Sequence, residues 1–404
     1  MPLIALSRAL LGFVSLVLLA AAVWLLWSWW EGRLITDAVG TLYHERDDWR
    51  LWTGGALLAW SCLGRWPVLW LLARPDTDPT RPRREPGAFV EGAKGSHLYV
   101  ESRGAAEGMP LVLTHGWGLD STIWDYVSRD LGRSHRLVVW DLPGLGRSSK
   151  GPGEISLPMF AVGLRRVVES VTAGPVILVG HSIGGMTIQT LARDHPEFMR
   201  DQVAGVILLN TTDTNPLRTM ILSPVLTALQ KPVIEPLMRL TVWLAPLARV
   251  AAWQGYLSGS AHVANRLGFG RQVTRSQLDH TTLLATRNSP AVQARGNRAM
   301  FHWDAEAAFA DLKTPLLVLG GRADIVTRPD AGRRIAASTP QGRYQEIDDV
   351  NHMGFLERAD LYHAAIAAFA AEVAAADPAT ALQGRLADIP STDPDTKPAP
   401  PNLG

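Results

Sequence analysis

The chain has 404 residues, 47% of them hydrophobic and 19% charged, which excludes full-length disorder and leaves room for more than one average domain. Thirty-nine Lys and Arg stand against 38 Asp and Glu, a formal net charge of +1, so no nucleic-acid partner is expected, because such a binder needs surplus cations to displace counterions. The only cysteine, Cys62, permits neither an internal disulfide framework nor a multi-cysteine metal site.

In chain order, the first feature is the stretch from Ala9 to Trp30, 22 residues without a charge. As a helix it would be roughly 33 Å long, which matches a bilayer hydrocarbon core of about 30 Å. A cleaved signal peptide is the alternative, with Arg8 as its basic flank and Ala20-Ala21-Ala22 as a small-residue cleavage site. Against it, the apolar run continues through Val23, Trp24, Leu25, Leu26 and Trp27 to Trp29 and Trp30, where an interfacial aromatic belt would sit. A second run of membrane length, Leu51 to Leu72, is interrupted by Gly54, Gly55, Gly64, Arg65 and Pro67. Arg65 lies near its end, where a long stem can snorkel to the headgroups. Residues 1–84 are therefore expected to form a membrane anchor of one or two spans, about 9–30 and 51–72. Glu31, Asp37, Glu45, Asp47 and Asp48 lie between the runs, whereas Arg8 precedes them and Arg74, Arg81, Arg83 and Arg84 follow. The positive-inside rule then places both ends of a two-span anchor, and the body of the chain, in the cytoplasm; a single span would place the body on the other side.

Residues 85–376 alternate short β-rich runs with longer amphipathic stretches, the pattern of a mostly parallel central sheet flanked by helices. Strands are expected at 98–101, 111–114, 137–140, 176–179, 206–209, 316–319 and 344–347, several of them almost wholly apolar, as strands buried on both faces should be. The alternation breaks between β-rich runs at about 213–302, where Leu-, Ala- and Arg-rich sequence predicts an inserted helical cap. The end of the chain, 377–404, holds six prolines and little periodicity and is expected to be a disordered tail.

Gly180-His181-Ser182-Ile183-Gly184 fits G-x-S-x-G, with the apolar run Pro175–Val179 before it and a helical run, Met186–Arg193, after it. A sharp strand-to-helix turn there would expose the Ser182 hydroxyl above the sheet. A serine hydroxyl is a poor nucleophile at neutral pH and needs a base, and the base needs an acid to fix its tautomer. Downstream, Asp324 follows the strand 316–319 through Gly320-Gly321-Arg322-Ala323, and His352 follows the last strand in Asn351-His352-Met353. Both fall at the carboxyl edge of the expected sheet, in the chain order Ser, Asp, His. Asp213, just after the preceding strand, is the alternative acid. Two backbone amides are candidates for an oxyanion hole: Ile183 N–H at the start of the helix, and Trp117 N–H in His115-Gly116-Trp117-Gly118.

Taken with Asp141-Leu142-Pro143-Gly144-Leu145-Gly146-Arg147-Ser148, these segments make residues 87–375 resemble the α/β-hydrolase superfamily, in its capped branch of esterases, lipases, cofactor-free haloperoxidases and carbon–carbon bond hydrolases. The resemblance implies an α/β-hydrolase fold and a serine hydrolase that needs no cofactor. Asparagine at 351 departs from the glycine usual before the family's histidine, and isoleucine at 183 from the commoner methionine. Branches that form an alkyl-enzyme ester carry aspartate where Ser182 stands, so acyl transfer is the expected chemistry. Gly144–Lys150 is no P-loop, since Ser149 stands where glycine is required before lysine, and no metal-ligand spacing appears.

Between Thr214 and Met300 there are ten Lys or Arg and two acids, a local net of +8, among apolar residues that include Trp243 and Trp253. This composition suits packing against the sheet, and equally a cap lying on anionic headgroups with its pocket open to lipid. The expected substrate is a hydrophobic carboxylic ester, and a lipid-derived acyl ester fits such a cap. Carbon–carbon bond hydrolysis or peroxide chemistry on the same three residues is the alternative, and a non-catalytic membrane scaffold with a hydrolase shell the more distant one.

Overall fold

A computed structural model describes residues 2–376; the Pro-rich segment expected to be disordered lies outside the described residues. The first helix, α1 (Pro2–Glu31), is unbroken, as an apolar run free of internal proline allows. A hairpin of β1 (Arg33–Thr36) and β2 (Leu42–Glu45) reverses the chain. Its turn is closed by Asp37 Oδ1, which accepts the Val39 and Thr41 N–H groups at 2.9 and 2.8 Å.

The chain returns along α1 as α2 (Asp48–Leu63), followed by α3 (Arg65–Leu72). The apolar run 51–72 is thus not one straight segment: α2 and α3 meet at 62°. Pro67 has no N–H for the Leu63 carbonyl and its ring crowds that carbonyl. At Gly64 a side chain would come within 2.5 Å of the Ser258 carbonyl, so the bend is also where the anchor touches the cap most closely.

The N-terminal helices lie packed against the cap. A side chain at Gly12 would lie 2.7 Å from the Ala251 carbonyl, and Ser15 Oγ lies 2.9 Å from both Ser258 Oγ and Ser260 Oγ. Small residues let the backbones approach and hydroxyls bridge them, as between helices in lipid. Arg65 Nη1 donates to Tyr256 OH (2.7 Å), and Ile4 joins a buried cluster with the cap residues Leu217, Met220, Ile234, Met238 and Phe301. On the outside, Leu10, Phe13, Val17, Trp24, Trp27 and Trp30 of α1 are exposed, as are Trp49, Trp52, Trp60, Trp66 and Trp70 of α2 and α3.

The body is one sheet of eight strands: β3 (Ala88–Glu91), β4 (His97–Gly104), β5 (Leu111–Thr114), β6 (Arg136–Trp140), β7 (Val176–His181), β8 (Val203–Leu209), β9 (Leu316–Gly321) and β10 (Gly342–Ile347). Their order is β10-β9-β8-β7-β5-β6-β4-β3; β3 and β4 pair antiparallel, and every pair from β6 to β10 is parallel. Alternate residues face opposite sides. Val112, Val138, Leu178 and Val206 pack under the helices Leu157–Val171 and Ile183–Asp194, while Leu113, Val139, Val179 and Ile207 pack under Asp125–Leu131 and Ala359–Ala376. The last of these helices is apolar enough by composition to cross a membrane, yet it buries Tyr362, Ile366, Phe369 and Val373 against the sheet.

The chain runs from β5 outward to β6, then crosses back over β5 to β7 and continues the other way. The switch point therefore lies between the carboxyl ends of β5 and β7, where a crevice opens in folds of this kind. Helices from Pro216 to Phe301 fill the connection between β8 and β9 and cover that edge.

If α1 is docked as described, a Ser15→Cys/Ser258→Cys pair on a Cys62→Ser background should oxidise to an intramolecular disulfide in the detergent-solubilised full chain. It would be read as a reducible mobility shift absent from either single variant; free thiols in the pair would show α1 away from the cap.

Candidate active site

Ser182 sits at the switch point, between β7 and the helix Ile183–Asp194, with φ 53° and ψ −117°. Such a backbone is costly for a residue with a side chain and persists because its surroundings over-determine it. A Cβ at Gly180 would lie 2.6 Å from the backbone of Gly184, and one at Gly184 would run into the Thr114 carbonyl at the end of β5. Glycine at both positions is what lets the turn close. The Ser182 N–H donates to the Leu209 carbonyl of β8 (3.0 Å), and Thr211 Oγ1 donates to the Ser182 carbonyl (2.7 Å).

Three side chains named from the sequence meet here. Ser182 Oγ donates to His352 Nε2 at 3.1 Å, and His352 Nδ1 donates to Asp324 Oδ2 at 3.0 Å. His352 and Asp324 are buried, and Ser182 keeps 8% of its surface. Asp324 is saturated with donors: Val326 N–H and Thr327 N–H to Oδ1 (2.8 and 2.9 Å), Asn210 Nδ2 and Thr327 Oγ1 to Oδ2 (2.9 and 2.8 Å). Burial pushes its carboxyl up, but the charge and hydrogen bond of His352, the Asn210 amide and the Thr327 N–H outweigh burial and hold it below the usual carboxylate range. The alternative acid, Asp213, is not part of this set; it takes Arg334 in a two-pronged pair at 2.7 and 3.2 Å.

Four supporting residues were not anticipated from the sequence. Asn210, held by Tyr362 OH at 2.8 Å, braces the carboxylate. His181 Nε2 donates to the His352 carbonyl (3.1 Å); burial, and then the His352 ring beside it, push its pKa well below the ordinary range and keep it neutral. Thr327 braces both Asp324 oxygens from the loop after β9. Asn351 Oδ1 accepts from Ile325 N–H (3.0 Å) and His352 N–H (2.8 Å), while its Nδ2 donates to Leu267 O and Phe269 O of the cap (3.0 and 3.3 Å). The asparagine that departs from the family's glycine therefore joins the acid loop, the histidine loop and the cap. Only its position beside His352 hinted at this.

Trp117 follows β5 in the loop at the switch point, and Ile183 is the first residue of the helix after Ser182. Among the described residues neither N–H is paired with an acceptor. The Trp117 indole N–H donates to the Gln293 carbonyl (3.1 Å), and the cap helix passes so close over the ring that a side chain at Gly296 would enter it. His115 and Asp141 support this loop instead of facing the serine: His115 Nε2 accepts Leu142 N–H (3.0 Å), and Asp141 accepts Ser121 N–H and Arg147 N–H (2.7 and 2.8 Å) and pairs with Arg84. A cavity of about 50 Å³ adjoins the site, with Arg8, Trp117, Phe269, Asn297 and Met353 among its walls.

Replacing Asn351 with Ala should lower stability by about 1–3 kcal/mol, since it strands buried backbone groups on three loops; denaturant titration in detergent measures it. A second outcome concerns pH. Because the folded Asp324 carboxyl lies below its unfolded value of about 3.9, its ionised form stabilises the fold above that value, and the contribution is lost as pH falls through the folded pKa. The thermal midpoint should thus fall more steeply below pH ~4 in the native chain than in Asp324→Asn.

Comparison with known proteins agrees with the fold. Residues 109–359 match the family described as alpha/beta hydrolase fold. A pimeloyl-[acyl-carrier protein] methyl ester esterase of Klebsiella pneumoniae is 42% identical over 87 residues, 22% of this chain and 32% of that protein; the chain spans about a third of the length of the curated relatives it matches in this way. Among solved structures, the esterase EaEST of Exiguobacterium antarcticum superposes with a TM-score of 0.57 at 16% identity, covering 70% of this chain and 99% of its own. A membrane phospholipase A described as a bacterial virulence factor does so at 0.57 and 20% identity, covering 71% and 86%. The chain belongs to the α/β-hydrolase fold family.

Proposed function

We propose that the protein is a membrane-anchored serine hydrolase that cleaves a hydrophobic carboxylic ester through Ser182, His352 and Asp324. The observation that carries this reading is the continuous hydrogen-bonded series Ser182–His352–Asp324 at 3.1 and 3.0 Å. His352 Nε2 takes the Ser182 proton as Oγ attacks the ester carbonyl. The tetrahedral oxyanion takes hydrogen bonds from Trp117 and Ile183 N–H, donors worth roughly 2.7–4 kcal/mol each in such sites. His352 then gives its proton to the departing alkoxide, and water repeats the cycle on the acyl-enzyme. Asp324 keeps the imidazole in the tautomer that presents Nε2 as base and faces the imidazolium that forms. The pimeloyl ester esterase, similar over its short matched region, is itself named for ester cleavage.

Anchoring rests on the exposed apolar surface. The tryptophans at 24–30 and 49–52 sit near the hairpin end of α1 and α2, and those at 60–70 near the body, as two interfacial belts would. The surface continues onto the cap, where Val225, Leu240, Trp243 and Val250 are exposed beside the exposed cations Arg218, Lys231, Arg239 and Arg249. A contiguous apolar patch of this kind marks a membrane or partner surface, and each cation near anionic lipid adds about 1 kcal/mol. Since both ends of the α1–α2 pair lead to the same body, a two-crossing hairpin with the body in the cytoplasm is the arrangement proposed.

Ser182→Ala should abolish covalent labelling by a fluorophosphonate while leaving the thermal midpoint intact, and Asp324→Asn should lower kcat by about 10⁴ through loss of the correct tautomer. Across p-nitrophenyl esters in detergent micelles, kcat/KM of the full chain should rise with acyl length. Labelling that persists in Ser182→Ala, or a preference for the shortest esters, would overturn the corresponding part of the reading.

A further inference from the structure

The first turns of α1 carry a group that an anchor does not need. Arg8 projects from α1 to the wall of the cavity beside Trp117, and among the described residues no carboxylate pairs with it. Its Nε is out of solvent without a hydrogen-bond partner, and its Nη1 stands 3.5 Å from Gln293 Oε1. Gln293 cannot turn away to serve it better, because its Nε2 donates to Ala285 O and Asn288 O at 2.9 Å each and its carbonyl takes the Trp117 indole. The same cavity is lined by Asn297, 1% exposed, whose Oδ1 also lacks a partner. Arg84 and Arg103 are paired, Arg84 with Glu101, Asp120 and Asp141 and Arg103 with Glu101, whereas Arg8, like Arg275 and Arg298, leaves its Nε without a partner; of these three only Arg8 lines the cavity beside Trp117. A cation and an amide left unused in an apolar wall are unfavourable by themselves. A cation serving only to fix the end of a membrane helix would instead reach water and headgroups, as a snorkelling side chain does.

We propose that Arg8 is a specificity site for an anionic oxygen group on the substrate, a carboxylate or a phosphate, seated in the cavity next to Trp117. This deepens and rests on the serine-hydrolase reading: the substrate class narrows from a hydrophobic ester to an amphiphilic ester with a negative charge. A guanidinium offers forked donors matched to either anion, and the cavity shelters them from water, where such hydrogen bonds are strongest. The substrate pocket is then completed by the anchor helix itself.

The test uses the full-length protein in neutral detergent micelles and two matched pairs of substrates. The carboxylate arm compares the mono-p-nitrophenyl ester of a medium-chain dicarboxylic acid with the p-nitrophenyl ester of the monocarboxylic acid of equal length. The phosphate arm compares a lysophosphatidate with the monoacylglycerol of the same chain. In at least one arm the native chain should favour the anionic ester in kcat/KM by about tenfold or more, mainly through KM. Arg8→Gln should reduce that ratio to near one, and Arg8→Lys should retain most of it. The arm that responds identifies the anion. A purely structural role for Arg8 would depress both members of a pair together and leave the ratio standing, and that result overturns the proposal, as does a native chain without preference in either arm. Fluorophosphonate labelling of the same preparations separates the two readings: labelled enzyme without preference removes only the anion site, whereas absence of both labelling and hydrolysis removes the hydrolase reading with it.

Discussion

The Thr114 carbonyl oxygen at the end of β5 lies where any side chain at position 184 would have to stand, and the remainder of the site is arranged around that contact. With glycine at 180 and 184, the chain leaving β7 turns within one residue into a helix, and the strain falls on Ser182 at φ 53°. That single turn lifts a hydroxyl above the sheet and starts a helix whose first N–H groups have no partner within it. It also brings the ends of β5 and β7 side by side, which sets Trp117 next to Ser182. Strand pairing does the rest: β8, β9 and β10 follow in order, so Asn210, Asp324 and His352 arrive on successive loops of one edge.

A sheet edge alone does not hold loops in register to a few tenths of an ångström. Here the loops are tied by side-chain amides. Asn210 binds Asp324, Asn351 binds the loops of Asp324 and His352 to the cap, and Asn288 Nδ2 reaches the carbonyls of Gly118 and Leu119 (2.9 and 3.1 Å). An amide offers donors and an acceptor at once, so one residue can bridge loops of unlike polarity in a dry space. The cap and the loops bearing Asp324 and His352 are thereby tied by buried hydrogen bonds.

Much of this was legible in the sequence, and what was not has a common cause. The sheet could be read from its apolar runs because strands buried on both faces leave little choice of residue. Ser182 could be read from its neighbours, since glycines at 180 and 184 answer a backbone requirement that is local. Asp324 and His352 followed from strand order. The bracing role of Asn351, by contrast, depends on backbone carbonyls at 267 and 269 that only tertiary structure brings near. The bend at Gly64 was foreshadowed by Pro67, but its closeness to Ser258 was not, and the fit of Gly12 against Ala251 has no signature beyond a small residue in an apolar helix. Asp213 was the alternative to Asp324 in the sequence; in the structure it pairs with Arg334, a partner far away along the chain that spacing could not reveal.

One wall of the cavity comes from residues 4–8 and another from Met353, so the two ends of the described chain must meet before the space between them exists. During synthesis the first of these leaves the ribosome long before the second has been made. A polypeptide halted anywhere short of β10 would hold Ser182 but lack both His352 and the Met353 wall of the cavity. The hydrogen-bonded series from Ser182 to Asp324 is therefore among the last features of the fold that the growing chain can complete.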